Sequence, residues 1–291
     1  MLFISKPGEE GFVLVPAVWL AGLIGIALSV FLTEIRIDMK AAANLIDNAR
    51  AEFLADGLVR LVAFGLAMDD GREGADAGGL RKCQLNAEYS ALWKVQDQSG
   101  LVDLNAASGL TLRELGRRLG LTASSAQSIA DRILDFRDLD DSSQPNGAEI
   151  DDYRAAGLKQ GPKNRPFEHV SELDQLLGMS EELFKLLVGS VTIYSGQDGI
   201  DPAVAADQLQ QSSGSKFPLV MSQRQSFAID ALVSKKDGTG FFRRAIIRVL
   251  RRPDKPFAIV EWEIGSADDA AKLLEASPQE CPLSHGSAAI P

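Results

Sequence analysis

The densest run of side chains able to do chemistry lies between residues 135 and 152, DFRDLDDSSQPNGAEIDD. Asp135, Asp138, Asp140, Asp141, Glu149, Asp151 and Asp152 share this stretch with one base, Arg137. Carboxylates gathered on a loop are hard oxygen donors, and Ca²⁺ takes roughly six to eight such oxygens. The EF-hand spacing is absent, so a calcium ion here would occupy an irregular site, with Asp140, Asp141 and Glu149 as its leading ligands. The alternative is a solvated acidic face, which is what most charge runs are.

Other chemistry finds less support. His169 sits in Pro166-Phe167-Glu168-His169-Val170 and His285 in a polar tail, neither beside a Ser or Cys nucleophile motif. No G-x-S-x-G, H-E-x-x-H, Walker A or G-x-G-x-x-G occurs, and nothing selects two carboxylates as an acid/base pair. The chain therefore reads as non-enzymatic. Its two His and two Cys are far apart and exclude a zinc finger or an iron–sulfur cluster.

Nucleic-acid binding is the rival class. Leu119-Gly120-Leu121-Thr122 and Leu177-Gly178-Met179-Ser180 resemble helix-hairpin-helix turns, whose backbone N–H groups can hold phosphate. The usual second Gly is replaced by Thr122 and Ser180, and Glu172, Asp174, Glu181 and Glu182 nearby repel phosphate. Thirty Lys+Arg against 40 Asp+Glu give a net charge of −10, the wrong sign for a phosphate-binding surface. A structural scaffold is the better reading. Arg243, Arg244, Arg248, Arg251 and Arg252 form a basic patch, with Arg244, Arg248 and Arg252 on one strand face. It is either a solvated sheet face or a surface for an acidic partner.

The elements that carry these residues begin with an anomaly. The mean hydropathy of −0.01 is ordinary, yet Phe12–Leu32, FVLVPAVWLAGLIGIALSVFL, holds no charge. A run of about 20 apolar residues matches the hydrocarbon thickness of a bilayer. It is longer than a signal-peptide core of roughly 7–15 residues and ends in no A-x-A-like site, so it reads as a retained anchor. Ile35, Met39, Ala42, Ile46, Ala49 and Phe53 then recur at helical spacing, with a mixed-charge face between them. One helix is expected from Phe12 to near Met68, about 85 Å long at 1.5 Å per residue.

Beyond it the chain of 291 residues is long enough for about two domains. Residues 69–82 are Gly-rich and read as a loop. Tyr89, Ala91, Trp93 and Val95 alternate as a strand. Short amphipathic helices follow at 109–119, 123–136, 170–177 and 180–188. Strands return at 191–194, at Phe227–Val233, at 241–251 and at Ala258–Ile264, with an Asp-Gly turn at 237–238. Residues 197–223 and 266–291 read as loop and tail.

Taken together, these features resemble a known family. A short polar leader, Gly11-Phe12, and a hydrophobic-then-amphipathic helix are similar to type IV pilins and type II secretion pseudopilins. In that family a prepilin peptidase of the inner membrane cuts after the Gly and the new N-terminus, here Phe12, is methylated. Most members carry Glu at the fifth mature position, which is thought to neutralise the amine of a neighbouring subunit. Pro16 stands there instead and selects the K-type minor pseudopilins, which lack that Glu. Further stretches carry the same resemblance: Val102–Ala106, Ile133–Asp138, Pro145–Glu149 with Tyr153, Gly161–Asn164 with Pro166–Glu168, and Val191–Ser195.

The resemblance implies an α+β fold, in which a pilin-like helix packs on an antiparallel sheet that carries a large all-α, helix-hairpin-helix or SAM-like insertion. Its parts are a leader at 1–11, the helix at 12–68, sheet domain at 69–106, inserted helices at 107–190, remaining sheet at 191–264 and a tail at 265–291. It further implies calcium in the inserted module, I- and J-type minor pseudopilins as partners, a single-pass inner-membrane anchor and a periplasmic globular part. The implied role is to cap the tip of the secretion pseudopilus and help initiate it. A membrane-anchored nucleic-acid-binding protein of a DNA-uptake type remains the alternative. In an oxidising periplasm a Cys83–Cys281 disulfide would pin the C-terminal tail to the start of the globular part, but both cysteines flank flexible segments, and two free thiols are equally compatible with the sequence.

Overall fold

The computed structural model describes residues 14–68, 79–210, 217–236, 240–275 and 277–280. Helix α1 (Leu14–Met68) leads into β1 (Leu80–Gln84), β2 (Tyr89–Asp97) and β3 (Val102–Asp103). A helical section follows: α2 (Gly109–Arg118), α3 (Ala123–Arg137), α4 (Ile150–Ala155), a 3₁₀ turn at Val170–Gln175 and α5 (Glu181–Val188). The chain returns through β4 (Val191–Thr192) and α6 (Asp207–Gln210) to β5 (Ser226–Lys235), β6 (Gly240–Val249) and β7 (Phe257–Ile264), then α7 (Ala267–Glu275) and β8 (Gln279–Glu280). Among the described residues, one sheet runs β7-β6-β5-β2-β1-β8, antiparallel except for the β1–β8 pair. This is the α+β architecture expected.

Helix α1 works in two environments. Its first half is long and apolar enough to cross a membrane, and its most apolar stretch touches nothing else in the fold. Pro16 sits in the first turn, where a missing N–H breaks no intrahelical bond. The second half buries Ala51, Ala55, Leu58, Val59, Ala63 and Leu66, which recur every three or four residues along one stripe. Three of the six are alanines, so the helix axis can lie close to the sheet.

Opposite this stripe, period-two alternation puts Tyr89, Ala91 and Val95 of β2, Phe227, Ile229, Ala231 and Val233 of β5, and Ala245, Ile247 and Val249 of β6 in one core. The other sheet face buries Leu80, Leu92, Leu232 and Phe242 beneath Leu273 of α7.

The stripe expected from the sequence, Ile35 to Phe53, is not the buried one. Met39 is 68% exposed and Phe53 80%. The sheet reaches α1 only from about Asp47 onward, where Lys235 Nζ bonds Asp47 Oδ2 at 2.6 Å, and the turn that faces it starts at Ala51. In β7 a bulge between Ile246 and Ile247 of β6 breaks the alternation. Of the expected face Ala258, Val260, Trp262 and Ile264, only Trp262 joins the core beside α1, and Ile264 is 68% exposed.

The described parts of the two segments read as loop and tail hold more structure than expected. The C-terminal stretch forms α7, started by a Ser266/Asp269 cap in which Ser266 Oγ accepts from Asp269 N at 3.1 Å. Within 197–223, Leu209 and Phe217 are buried in the core of the inserted helices.

Arg243 ties the two layers together. It projects from β6 toward α1 and is 4% exposed. Its Nε donates to Asp56 Oδ1 at 2.7 Å and its Nη2 to Glu52 Oε1 at 2.9 Å. The Phe241 and Trp262 rings lie 4.9 and 5.0 Å from the guanidinium. Removing one member of a buried ion network leaves uncompensated charge, at a cost of about 3–5 kcal/mol. Arg243→Ala should lose stability on that scale, whereas exposed Arg248→Ala should stay within about 0.5 kcal/mol. Denaturant unfolding of the detergent-solubilised chain measures both; equal losses would contradict the clamp.

Candidate functional site

The inserted helices are built on two hairpins. Gly120 and Gly178 both take the left-handed backbone region, with φ of +85° and +74°, which glycine adopts without strain. After each turn a hydroxyl caps the next helix: Thr122 Oγ1 accepts from Ser125 N at 3.1 Å and Ser180 Oγ from Leu183 N at 3.2 Å. The residues replacing the second glycine of a phosphate-binding hairpin are therefore helix caps. Arg118 and Arg137 turn inward, donating to the carbonyls of Leu209 and of Leu104 and Ala107. Leu112, Leu115, Ile133, Phe136, Phe167, Leu173 and Leu187 fill the core, with Phe136 and Phe167 stacked at 4.8 Å.

The incoming and outgoing chains are zipped together. Strands β3 and β4 pair in parallel, Val102 opposite Val191 and Asp103 opposite Thr192. Buried Asp103 accepts from Asn105 N (2.8 Å) on the incoming side and from Gly196 N (2.7 Å) on the outgoing side. Asn105 makes a reciprocal pair with the Phe167 backbone at 2.8 and 2.9 Å. Asp103 and Asn105 were visible only as part of a motif; their bonds to residues 62 to 93 positions away were not.

The seven acidic residues 135–152 divide into three roles. Asp135 is fully buried on α3 and spent on the loop: Oδ2 accepts from Ala148 N at 2.8 Å and Oδ1 from Gln144 N at 3.1 Å. A Cβ at Gly147 would lie 1.8 Å from Asp135 Oδ2, so only glycine fits there. One turn earlier on α3, Asp131, which the sequence reading missed, holds Asn146 at 3.1–3.2 Å. Asp151 and Asp152 belong to the start of α4 rather than to the pocket. Asp151 is an exposed partner of Arg154 at 3.1 Å, and Asp152 Oδ2 accepts from Glu149 N at 2.9 Å.

The remaining four draw together. Glu149 is 5% exposed, and neither of its carboxylate oxygens has a hydrogen-bond partner in the fold; nor does Asp138 Oδ1. Asp140 and Asp141 are exposed at the rim, with Asp140 Oδ1 accepting from Ser142 N at 2.8 Å. Burial, and then the charges of Asp135, Asp138, Asp141 and Asp140, push the Glu149 carboxyl up to about 7. Burial followed by neighbouring carboxylates raises Asp138 as well.

Among the described residues no three Asp, Glu, His or Cys side chains stand assembled as a metal cage. The chemistry of the unpaired atoms nevertheless fits a hard cation: they are buried oxygens without a hydrogen-bond partner in the fold. Asp138 and Glu149 would hold it, with Asp140 and Asp141 at the rim.

The other predicted residues lie apart. Gly11, Phe12, Cys281 and His285 fall outside the described residues. Cys83, on β1, is disulfide-bonded, and β8 pairs with β1 so that Glu280 lies opposite Lys82. His169 is exposed, its Nδ1 3.4 Å from Glu261 Oε1 on β7. The basic patch does not form one face. Arg243 is the clamp described above, Arg244 forms a bidentate pair with Asp230 at 2.7 and 3.0 Å, and Arg251 donates to the Gln223 carbonyl at 3.3 Å. Arg248 and Arg252 are exposed.

Comparison with known proteins points the same way as the sequence resemblance. Residues 90–196 match the family model described as type II secretion system, protein K. No curated protein matches the chain. A chain in the crystal structure of the GspK–GspI–GspJ complex from the enterotoxigenic Escherichia coli type 2 secretion system shares the fold, with a TM-score of 0.55 and 19% identity over 80% of this chain and 100% of that one.

The Glu149 shift makes a pH prediction. Its folded-state value lies above the ordinary 4.5, so the fold penalises the ionised form. The penalty is absent below pH 4.5, grows as pH rises and is complete above about 7. In chelator, Glu149→Gln should therefore be more stable than the natural chain at pH 8 by about 1–2 kcal/mol and no more stable at pH 4.5. Parallel melting profiles at both pH values would contradict the unpaired carboxylate.

Proposed function

We propose that this chain is a K-type minor pseudopilin of a type II secretion system. In this reading α1 anchors it in the inner membrane, the globular part lies in the periplasm, and the chain has a structural rather than an enzymatic role. One observation carries the proposal. A pilin-like helix on an antiparallel sheet and the protein K signature over the inserted helices occur in the same chain. The leader would be removed between Gly11 and Phe12 by the prepilin peptidase, and Phe12 methylated. Partners follow from the structural neighbour, which comes from a complex of GspK with GspI and GspJ; I- and J-type minor pseudopilins are the corresponding partners here.

The finer role proposed is to cap the tip and help initiate assembly. A charge buried in lipid is expensive unless paired, which gives the fifth-position carboxylate of other pilin-like subunits its value beside a neighbour's amine. Pro16 can neither ionise nor donate through its N–H. A subunit at the distal end has no neighbour above it and needs no such carboxylate. The inserted helices argue alike, because that bulk would obstruct stacking along a shaft and is tolerated at an end.

Calcium belongs to the same proposal. When bound, Ca²⁺ supplies positive charge and several coordination positions to acidic oxygens. Asp138 and Glu149, with oxygens free of hydrogen bonds, would hold it, and Asp135 keeps the 144–148 turn in position.

Co-expression with I- and J-type pseudopilins tests the assignment. The chain should co-purify with both, and its mass should correspond to an N-terminus at methylated Phe12. Retention on DNA or heparin without either partner would favour the nucleic-acid-binding alternative and overturn it.

A further inference from the structure

The sheet face opposite α1 is met by two other parts of the chain. Leu273 of α7 packs over Phe242, and the inserted helices reach the face at Glu261 of β7. Phe242, Arg244, Ile246 and Arg248 alternate onto this side of β6, and Glu261 lies opposite Ile246 in register. Two residues of the insertion converge on the Glu261 carboxylate. The Tyr194 hydroxyl donates to it, and His169 Nδ1 lies 3.4 Å from its Oε1. Tyr194 follows β4, and its N–H donates to Thr192 Oγ1 at 3.1 Å. His169 precedes the 3₁₀ turn, two residues after Phe167, whose backbone is gripped by Asn105. Both side chains are therefore carried by fastened backbone.

At β2, three strands across the sheet from β7, the fastening is of another kind. Asp201 N donates to Ser99 O at 2.8 Å, Ala206 N to Gly100 O at 3.2 Å, and Gln96 Nε2 to Val204 O at 2.9 Å. A Cβ at Gly100 would lie 1.9 Å from Val204 O, so the two backbones are pressed together. These are amide and carbonyl groups, which do not titrate.

We propose that His169 and Glu261 form a pH-sensitive latch that sets how closely the inserted helices lie on the sheet. The His169 side chain is 64% exposed and exchanges protons freely with solvent. Imidazole gains its proton as pH falls from about 8 to 5. Protonated, it makes a charge-assisted bond to a carboxylate, roughly twice as strong as a neutral one. Neutral, it leaves Tyr194 as the main donor to Glu261. Burial first, and then the bond to Glu261, raise the Tyr194 hydroxyl above the ordinary phenol range, so it remains a donor throughout. The other charges around the latch are Glu168 and Arg165 on the loop of His169, Glu263 on β7 and Arg248 on β6. Lys163 of the same loop is paired with Glu168 and Glu172. Carboxylates, ammonium groups and guanidiniums ordinarily keep their charge over this range, so the imidazole is the switching group. Acid draws the insertion onto β7, and toward pH 8 it pivots about the β2 fastening.

The test uses the full chain in detergent, its disulfide intact, with spin labels on Glu182→Cys in α5 and Lys272→Cys in α7. Both positions are exposed. Helices α5 and α7 approach each other, for Lys185 lies within electrostatic reach of Asp268. Pulsed EPR distances are recorded at pH 5.5 and pH 8. With His169 in place, the distance should be shorter and more narrowly distributed at pH 5.5. His169→Gln should give the pH 8 distribution at both values. His169→Lys, which stays charged, should give the pH 5.5 distribution at both. His285→Gln removes the other histidine of the chain and should leave the response intact. An unchanged distance with His169 in place, or a pH response that survives in His169→Gln or His169→Lys, would overturn the latch.

Discussion

The contact between the second half of α1 and the sheet is the constraint on which the rest of the structure depends. A helix whose first half is apolar all round has no reason in water to stay attached to a globular domain. Attachment comes from four turns in which Ala51, Ala55, Val59 and Ala63, all fully buried, let the helix lie close on β2, β5 and β6. The small stripe supplies close approach, and Arg243 supplies direction and register by reaching from β6 to Glu52 and Asp56, one turn apart on α1. An apolar stripe alone would tolerate sliding by a turn, but two carboxylates meeting one guanidinium do not. With the helix set in this way, the sheet is fixed relative to the apolar first half, and the inserted helices are fixed relative to the sheet.

The two ends of the insertion meet where it leaves the sheet domain. The β3–β4 pair brings its two ends together, and Asp103 binds backbone amides on both. Beyond the join its order comes from its own hydrophobic core and from polar side chains that hold loops, Asp131 and Asp135 for 144–148 and Asn105 for Phe167. The acidic pocket is where that internal accounting stops balancing. There a glutamate 5% exposed, without a hydrogen bond and among carboxylates, has its carboxyl pushed up to about 7.

Local rules carried the sequence reading a long way. Unbroken helical spacing gave α1, strict alternation gave β2, β5 and β6, and glycine between helical patterns gave both hairpins. Most of the misses share a physical origin, a partner far along the chain. Which stripe of α1 is buried depends on where the sheet begins, so Phe53 looks like core in sequence and is 80% exposed in the fold. β1 lacks alternation because it lies near the sheet edge between β2 and the short β8. The sequence put Asp140, Asp141 and Glu149 foremost among the seven acidic residues, but it did not show that Asp151 and Asp152 open α4 or that Asp135 is committed to loop amides. The Ser266/Asp269 cap of α7 was present in sequence as S-x-x-D and went unread because the tail composition dominated.

Helix, join and insertion bear on one proposed position. In the proposed reading, a subunit with proline in place of a charge-neutralising carboxylate, and with a bulky inserted module, suits the end of a filament and not its shaft. The most direct measurement is to label the chain in assembled pseudopili with gold-conjugated antibody against the inserted helices and record where the particles fall. The tip reading predicts label at one end of each filament, about one cluster per filament. Particles spaced along the length would contradict it.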